Sequence, residues 1–452
     1  MKKIILISFL LSLSQYLSSQ TIIQKDPEIE DMVKAVNADS LRFYINSLVS
    51  FGTRNTLSSI SDKKHGIGAA RNWVLSEFKS FAASSNGRMK TYIDSTRYEA
   101  DGKTLDTAIQ LANVVAVLQG TDPADHRIFL ISGHLDSRRS NVMDRQGDAP
   151  GANDDGSGCA AVLECARLLS RRSFPETIIF VTVSGEEQGL LGAYFMAKKA
   201  RTEHWLIEAV LNNDIVGSNN SNQTGIINNT EVRVFSEGLP YYDLEKKAMQ
   251  IRELGMENDG RSRQLARYVK EIGERYVDNL KVVMVYRPDR FLRAGDHISY
   301  LENGFAAVRI TDMNENYNHQ HQDVRMENGI QIGDLPEFVD FEYLRKNTAL
   351  NLSNLANLAK APPVPDSVKI EVKNLNNLTH LSWKPSGFRK GKGYYVMMRE
   401  TTAAFWQKKI FTNQEEITLP YSKDNYFFAV QSVSETGNES LAVVPQPDNG
   451  RK

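Results

Sequence analysis

The sequence predicts an α/β domain, built on a mixed, largely parallel central sheet flanked by helices, followed by a C-terminal all-β sandwich. Three observations carry this reading. From about residue 111 to 360, apolar runs alternate with helical patterns, the order expected of an α/β fold. The stretch APPVP (Ala361–Pro365) then reads as a proline-rich linker. Beyond it the texture changes to short strands separated by turn residues, VKIEV, THLSWK, GYYVMMRE, EITLP and NYFFAVQSV, as in a small sandwich. The chain therefore divides into a leader (1–20), the α/β domain (21–360), the linker (361–365) and the sandwich (366–445).

Taken in order, the N-terminus MKKIILISFLLSLSQYLSSQ places Lys2 and Lys3 before an apolar stretch, Ile4 to Leu13, and then small polar residues. This is the layout of a secretory signal peptide, so the chain is expected to be exported, to the periplasm or beyond, with cleavage near residue 20. The apolar core is shorter than the roughly 20 residues a membrane span needs, and no transmembrane anchor is expected. Helical patterns follow in DPEIEDMVKAVNADSLRFYINSLVSFG and GAARNWVLSEFKSFAA. After the middle region's first strands, SNNSNQTGIINN reads as a polar loop and KEIGERYVDNLKVVMVYRPDRF as additional helix and strand.

The composition, 41% hydrophobic, 24% charged and 9% aromatic, is that of a globular protein. A net charge of -1 with no long Lys/Arg block excludes nucleic-acid binding as the main role, because counterion release needs clustered basic charge. The two cysteines, Cys159 and Cys165, lie six apart in the helical pattern CAAVLECARLLSR. Their side chains face different sides of a helix, so they are expected to be buried thiols rather than a disulfide.

The run TIIFVTV is followed by VSGEEQG, in which Glu186 and Glu187 are adjacent. Alone, such a pair most simply caps a following helix. Yet the other apolar runs end similarly. RIFLISGH ends in His134, with Asp136 two residues on; EAVLNND ends in Asp214; and AAVRITD leads through MNENYN to His319 and His321. Between the first two strands, GANDDGSG carries Asp154 and Asp155. Ligands of open α/β sheets bind outside the carboxyl ends of the strands, so these residues are expected to converge. Several close carboxylates repel one another unless cations are present. Histidine with Asp or Glu suits zinc, and one carboxylate can bridge two ions about 3.5–4 Å apart. Two Zn²⁺ against three carboxylates and one hydroxide balance in charge, which fits a two-metal site.

The motifs SGHLDSR, PGANDDGSG, VSGEEQGLLGA, NND, GDHISYLENGFAAV and the late His-rich loop resemble, over roughly residues 36 to 360, the co-catalytic di-zinc exopeptidases of metallopeptidase family M28. The likeness is to the secreted bacterial leucyl aminopeptidase type; the family also includes glutaminyl cyclases. The resemblance implies the zinc exopeptidase fold, two Zn²⁺ ions per chain, and peptide or protein N-termini as substrates. Carried over by position, His134 is the ligand of one zinc and Asp136 orients its imidazole. Asp154 bridges the ions. Glu187 and Asp214 each serve one ion, and the spacing does not say which shares a zinc with His134. Glu186 is the general base for attack by a metal-bound hydroxide. In NHQHQDV the family's His-x-x-x-Asp arrangement favours His319, ahead of Asp323, as the last ligand, with His321 as the alternative. Asp296 and His297 resemble an Asp-His pair that shapes the substrate pocket. Asp155 reads as a helix cap, and Arg138 and Arg139 as either solvated or substrate-facing.

Trp383 in LSW, and Leu419 with Tyr426, resemble the core Trp and tyrosine corner of fibronectin type III domains, which implies a spacing module or one that docks to a protein or surface. The functional expectation is an exported zinc aminopeptidase. The alternatives are a carboxypeptidase, a glutaminyl cyclase-like acyltransferase, or an inactive binding protein acting through its β-domain.

Overall fold

A computed structural model describes residue 21, residues 23–373, 376–386, 389 and 391–448; the expected leader over 1–20 lies outside them. The chain forms two compact units. One is Asp26–Ala361, and the other takes the described residues of Met1–Lys25 together with those of Pro362–Lys452. The short segment ahead of Asp26 thus groups with the C-terminal unit rather than with the α/β unit that follows it.

The first unit opens with helices α1 (Pro27–Lys34), α2 (Ala38–Val49) and α3 (Ile67–Ala82), where the two N-terminal helical patterns lie. Asp26 caps α1 by accepting the Glu28 N–H, with Pro27 in the first turn, and Asn37 caps α2. Eight strands then build one sheet: β1 (Met89–Tyr98), β2 (Ile109–Leu118), β3 (Arg127–His134), β4 (Thr177–Val183), β5 (Leu206–Asn213), β6 (Glu231–Phe235), β7 (Lys281–Val285) and β8 (Ala307–Asp312). Their order is β1-β2-β4-β3-β5-β8-β6-β7. The central strands β4, β3, β5 and β8 are mutually parallel, and antiparallel pairs β1·β2, β2·β4 and β6·β8 flank them. Strands covered on both faces read as continuous apolar runs, as RIFLISGH and TIIFVTV do.

Helices cover both faces. On one, α5 (Leu191–Thr202) and α8 (His297–Glu302) bury Ala193, Met196, Ala197, Tyr300 and Leu301 against Leu130, Val181 and Val210. On the other lies α4 (Gly156–Leu169), which packs on β3 and against α2 and α9 (Phe341–Leu358). The pleat separates the two faces: Leu130 faces the first layer, and Gly133, of opposite parity, faces α4. A Cβ at Gly158 would lie 2.4 Å from Asp155 Oδ2 and 2.7 Å from the Asn213 carbonyl, so the Gly-Ser-Gly at the start of α4 permits close approach to the strand ends. Helix α9 carries Asn351, which exchanges hydrogen bonds with Asn213 at 2.7 and 3.1 Å. Asn347 donates to the Val216 carbonyl at 2.8 Å. The helix thereby holds the chain on both sides of Asp214. Two further helices, α6 (Leu244–Leu254) and α7 (Arg261–Tyr276), lie between β6 and β7, and β9 (Arg325–Glu327) pairs with β10 (Ile330–Ile332) as a hairpin.

The second unit has two sheets. One holds β11 (Asp366–Glu371), β12 (Thr379–Lys384), β15 (Glu416–Leu419) and β17 (Gln446–Asp448), in the order β15-β12-β11-β17. The other holds β13 (Gly393–Glu400), β14 (Lys408–Thr412) and β16 (Tyr426–Val433), in the order β14-β13-β16. Val368, Leu381 and Trp383 of the first share a core with Val396, Met398, Phe428 and Val430 of the second. Both cysteines are free and buried. Among the described residues no helix is long and apolar enough to cross a membrane.

Candidate metal centre

The parallel strands deliver their carboxyl ends to one edge of the sheet. His134 is level with Val183, two residues short of Gly185-Glu186-Glu187, and Asn213, next to Asp214, is level with Ile310. At that edge His134 Nε2 lies 3.1 Å from Asp154 Oδ1 and 3.8 Å from Asp214 Oδ1. The other oxygen of Asp154 lies 2.9 Å from His321 Nε2, which is 3.1 Å from Glu187 Oε1. Two groups of potential ligands result, His134–Asp154–Asp214 and Asp154–Glu187–His321, with the donor atoms of each within 4.8 Å of one another. Asp154 belongs to both. Glu186 approaches from the side, grouping with His134 and Glu187.

The donor set fits zinc. Ligand atoms about 2.0–2.1 Å from a tetrahedral ion stand about 3.3 Å apart, close to the spacings found. Glu187 Oε1 is buried and has no aligned hydrogen-bond donor although His321 Nε2 is near, as when two lone pairs aim at a common point rather than at each other. The electrostatics agree. Burial alone would lower the His321 pKa, but Glu187 and Asp154 lift it to about 10. Burial raises the Glu186 carboxyl well above its usual range; His134 opposes this, while Asp214, Glu187 and Asp296 add to it. This pocket concentrates negative charge and favours a cation.

Spacing prefers His319 as the last ligand, but the structure brings His321 to Asp154 and Glu187. His319 stacks on Phe338 at 3.8 Å between ring centroids, where burial lowers its pKa to about 4. The physical reason lies in the loop. His321 adopts a left-handed backbone with φ 55°, which few non-glycine residues take. Asp323 ties the loop down by accepting from Arg139 Nε and Ser140 N, both at 3.1 Å. His319 instead lines a small open pocket with Asn153, Asp154, Gln320, Asp334 and Phe338.

The remaining predicted residues lie nearby. His134 Nδ1 is 3.0 Å from the carbonyl of Asp136 and 3.8 Å from its carboxylate. That carboxylate accepts the backbone N–H groups of Glu186 and Glu187 at 3.3 and 3.1 Å. Asp136 therefore orients the imidazole through its main chain and the two glutamates through its side chain. Asp155 caps α4 through Gly158 N at 2.9 Å, and it also accepts from His134 N at 2.8 Å and Ile215 N at 3.2 Å. One carboxylate thus joins two strand ends to the start of a helix. Asp296 is buried with neither oxygen hydrogen-bonded, and burial, together with Asp136 and Asp214 against the pull of His134, lifts it to about 8. His297 Nε2 lies 2.6 Å from the Pro288 carbonyl. Arg138 Nη1 is 3.8 Å from Glu187 Oε2, while Arg139 pairs with Asp144 and Asp323.

Three supporting residues escape the sequence reading. Asp334 accepts the N–H of Asn153 at 2.9 Å and of Asp154 at 2.7 Å, fixing the shared carboxylate from 180 positions away. Asp312 accepts from Asn153 Nδ2 at 3.0 Å and Ser218 N at 2.8 Å. Arg309 places Nη2 3.0 Å from Asp214 Oδ1. Asp334 sits in no motif, and the other two lie inside the run AVRITD, which reads as core.

A family model for peptidase family M28 matches residues 113–331, the span from β2 to the loop after β8 and its hairpin. A probable zinc metalloprotease of Leptosphaeria maculans is 41% identical over 423 residues, 93% of this chain and 97% of that protein. A probable zinc metalloprotease of Pyricularia oryzae is 40% identical over 429 residues, 93% of this chain and 85% of that protein. Among solved structures, the LapA aminopeptidase of Legionella pneumophila is similar with a TM-score of 0.53 at 20% identity, over 76% of this chain and 78% of that one. That likeness is one of fold. On the strength of the sequence relatives, the chain belongs to peptidase family M28.

Proposed function

We propose that the chain is a zinc-dependent exopeptidase that removes N-terminal residues from peptides, using two zinc ions. The observation that carries this reading is the position of Asp154, shared between His134–Asp214 and Glu187–His321. A carboxylate between two such ligand sets is the arrangement of a co-catalytic pair. Relatives described as probable zinc metalloproteases and a fold neighbour described as an aminopeptidase support it.

Zinc bound there supplies Lewis-acid polarisation of the scissile carbonyl and activation of water. The protein's own residues do the rest. His134, Asp154 and Asp214 would hold one ion, and Asp154, Glu187 and His321 the other. Glu186 takes the proton of the attacking water and returns it to the departing amine. Asp136 keeps Glu186 and its neighbour in register through their backbone N–H groups, so that one carboxylate faces the ligand cluster while the other serves as base. Asp296 and His297 shape the pocket wall beside His134.

The leader pattern over 1–20 supports export, to the periplasm or beyond. The β unit, with Trp383 in its core, is read as a fibronectin type III-like module for spacing or docking.

The test is release of free amino acids from matched unblocked and N-acetylated peptides, with zinc and with a chelator. Chelator-sensitive release from the unblocked set alone is expected. Release from the acetylated set would make the enzyme a carboxypeptidase, and ring closure of N-terminal Gln without cleavage would make it a cyclase.

A further inference from the structure

Arg309 is an unusual resident of a central strand. Its side chain is fully buried, with Nη2 3.0 Å from Asp214 Oδ1, a charge contact without an aligned hydrogen bond, and Nη1 3.1 Å from Asp289 Oδ2. The same point is crowded from below. A Cβ built on Gly295 would lie 3.1 Å from Arg309 Nη1, 3.2 Å from Asp289 Oδ2 and 3.4 Å from Asp214 Oδ2. A side chain at this glycine of the AGDH stretch would press on the point where the three charged groups meet.

These contacts belong to a longer series of alternating charge. Arg233 pairs with Glu315 at 2.8 Å, Glu315 with Arg290 at 3.2 Å, and Arg290 with Asp289 at 3.2 Å. Asp289 then pairs with Arg309, and Arg309 with Asp214. The series Arg233–Glu315–Arg290–Asp289–Arg309–Asp214 balances three guanidinium groups against three carboxylates only when Asp214 is counted. A guanidinium stays charged at any working pH, so the negative charge of Asp214 is already matched by the protein.

The two halves of the ligand cluster differ in this respect. Arg309 approaches Asp214 Oδ1, the same oxygen that faces His134 at 3.8 Å. In the other half, Arg138 lies 3.8 Å from Glu187 Oε2, whereas His321 faces Oε1, and Arg138 is 21% exposed. Its charge is therefore more distant, directed at the far oxygen, and better screened. A buried cation repels another buried cation strongly, and a carboxylate oxygen shared with a guanidinium gives less to a metal.

We propose that Arg309 is a positioning residue for Asp214, and that it makes the His134–Asp214 half of the centre the weaker of two divalent-cation sites. The inference rests on the two-ion reading above. Arg309 fixes the Asp214 carboxylate in place while lowering its effective charge, so one ion is held tightly and the other exchanges.

The test is a zinc titration of the full chain after dialysis against a chelator, followed by metal analysis and with thermal unfolding as a fold control. The chain is expected to take up two ions, with affinities at least about 10-fold apart. Asp214→Asn is expected to abolish the weaker step and His321→Ala the tighter one. Arg309→Gln, which removes the charge beside Asp214 while keeping a polar side chain there, is expected to tighten the weaker step about 10-fold or more and leave the tighter step unchanged. Asp289→Asn, which leaves the Arg309 charge to Asp214 alone, is expected to move the weaker step the other way. That opposite shift keeps the test decisive if Arg309→Gln does not fold. Two ions of equal affinity, a tighter step lost in Asp214→Asn, or a weaker step unmoved in both Arg309→Gln and Asp289→Asn overturns this proposal and leaves the two-ion reading standing. Uptake of a single ion, or none, overturns both.

Discussion

His321 Nε2 lies 2.9 Å from Asp154 Oδ2, while His134 Nε2 approaches the opposite oxygen of the same carboxylate at 3.1 Å. One short side chain on the loop before α4 therefore connects the end of β3 to a loop that follows β8. Of the pairings that spacing leaves open, the two groups that share Asp154 set Asp214 beside His134, and Glu187 beside His321.

Replacing His321 by Ala is expected to cost one zinc ion and at least about 100-fold in metal affinity at that half. Replacing His319 by Ala is expected to leave the zinc content at the wild-type value and only loosen the stack on Phe338. Metal analysis of the two purified variants checks both. Loss of an ion from the His319 variant alone would reverse the assignment.

Glu186→Gln keeps the size and removes the base. Turnover is expected to fall by about 10²–10⁴-fold, with zinc content unchanged because Glu186 is in neither Asp154-sharing group. Parallel assay and metal analysis separate a lost base from a lost ligand; a variant that loses zinc would make Glu186 a ligand.

Asp334→Asn tests support of the shared carboxylate. Asp334 accepts both the Asn153 and Asp154 N–H groups, and the amide retains one acceptor oxygen but loses the charge. Zinc affinity is expected to fall about 10- to 100-fold without loss of fold, read by chelator competition alongside circular dichroism. Unchanged affinity would show that the backbone alone sets Asp154.

Glu237 provides a test of the fold away from the metals. It is buried, and that burial, partly offset by the Tyr241 N–H and Arg263, lifts its pKa to about 7. An unfolded glutamate titrates near about 4.3, so between these values the folded state binds the extra proton. The stabilisation is present below the unfolded value and is lost as pH rises through the folded one. The difference in unfolding free energy between wild type and Glu237→Gln is expected to decline by up to about 3 kcal/mol from pH 4.5 to 8, measured by urea denaturation. A flat difference would show that Glu237 titrates alike in the folded and unfolded chain.

Much of this fold is legible in sequence because parallel strands buried on both faces leave unbroken apolar runs. RIFLISGH and TIIFVTV match β3 and β4 residue for residue, and THLSWK and GYYVMMRE match β12 and β13. The strands β14 and β17 do not stand out. KKIFT is half charged or exposed, and QPD is three residues with a proline. The candidate acidic ligands Glu187 and Asp214 are legible because each follows a strand end, and Asp154 because it sits in a glycine-rich loop just before a helix. The choice between His319 and His321 is not, since it depends on one left-handed residue and on Asp323 anchoring to Arg139. Arg309 is hidden for the opposite reason: its strand looks like core, and its partners Asp214 and Asp289 come from other parts of the chain.

The most direct test of the account is anomalous diffraction at the zinc edge from crystals of the full chain grown with zinc. Two peaks are expected on either side of Asp154, one against His134 and Asp214 and the other against Glu187 and His321. A single peak, or a second peak held by His319, would contradict it.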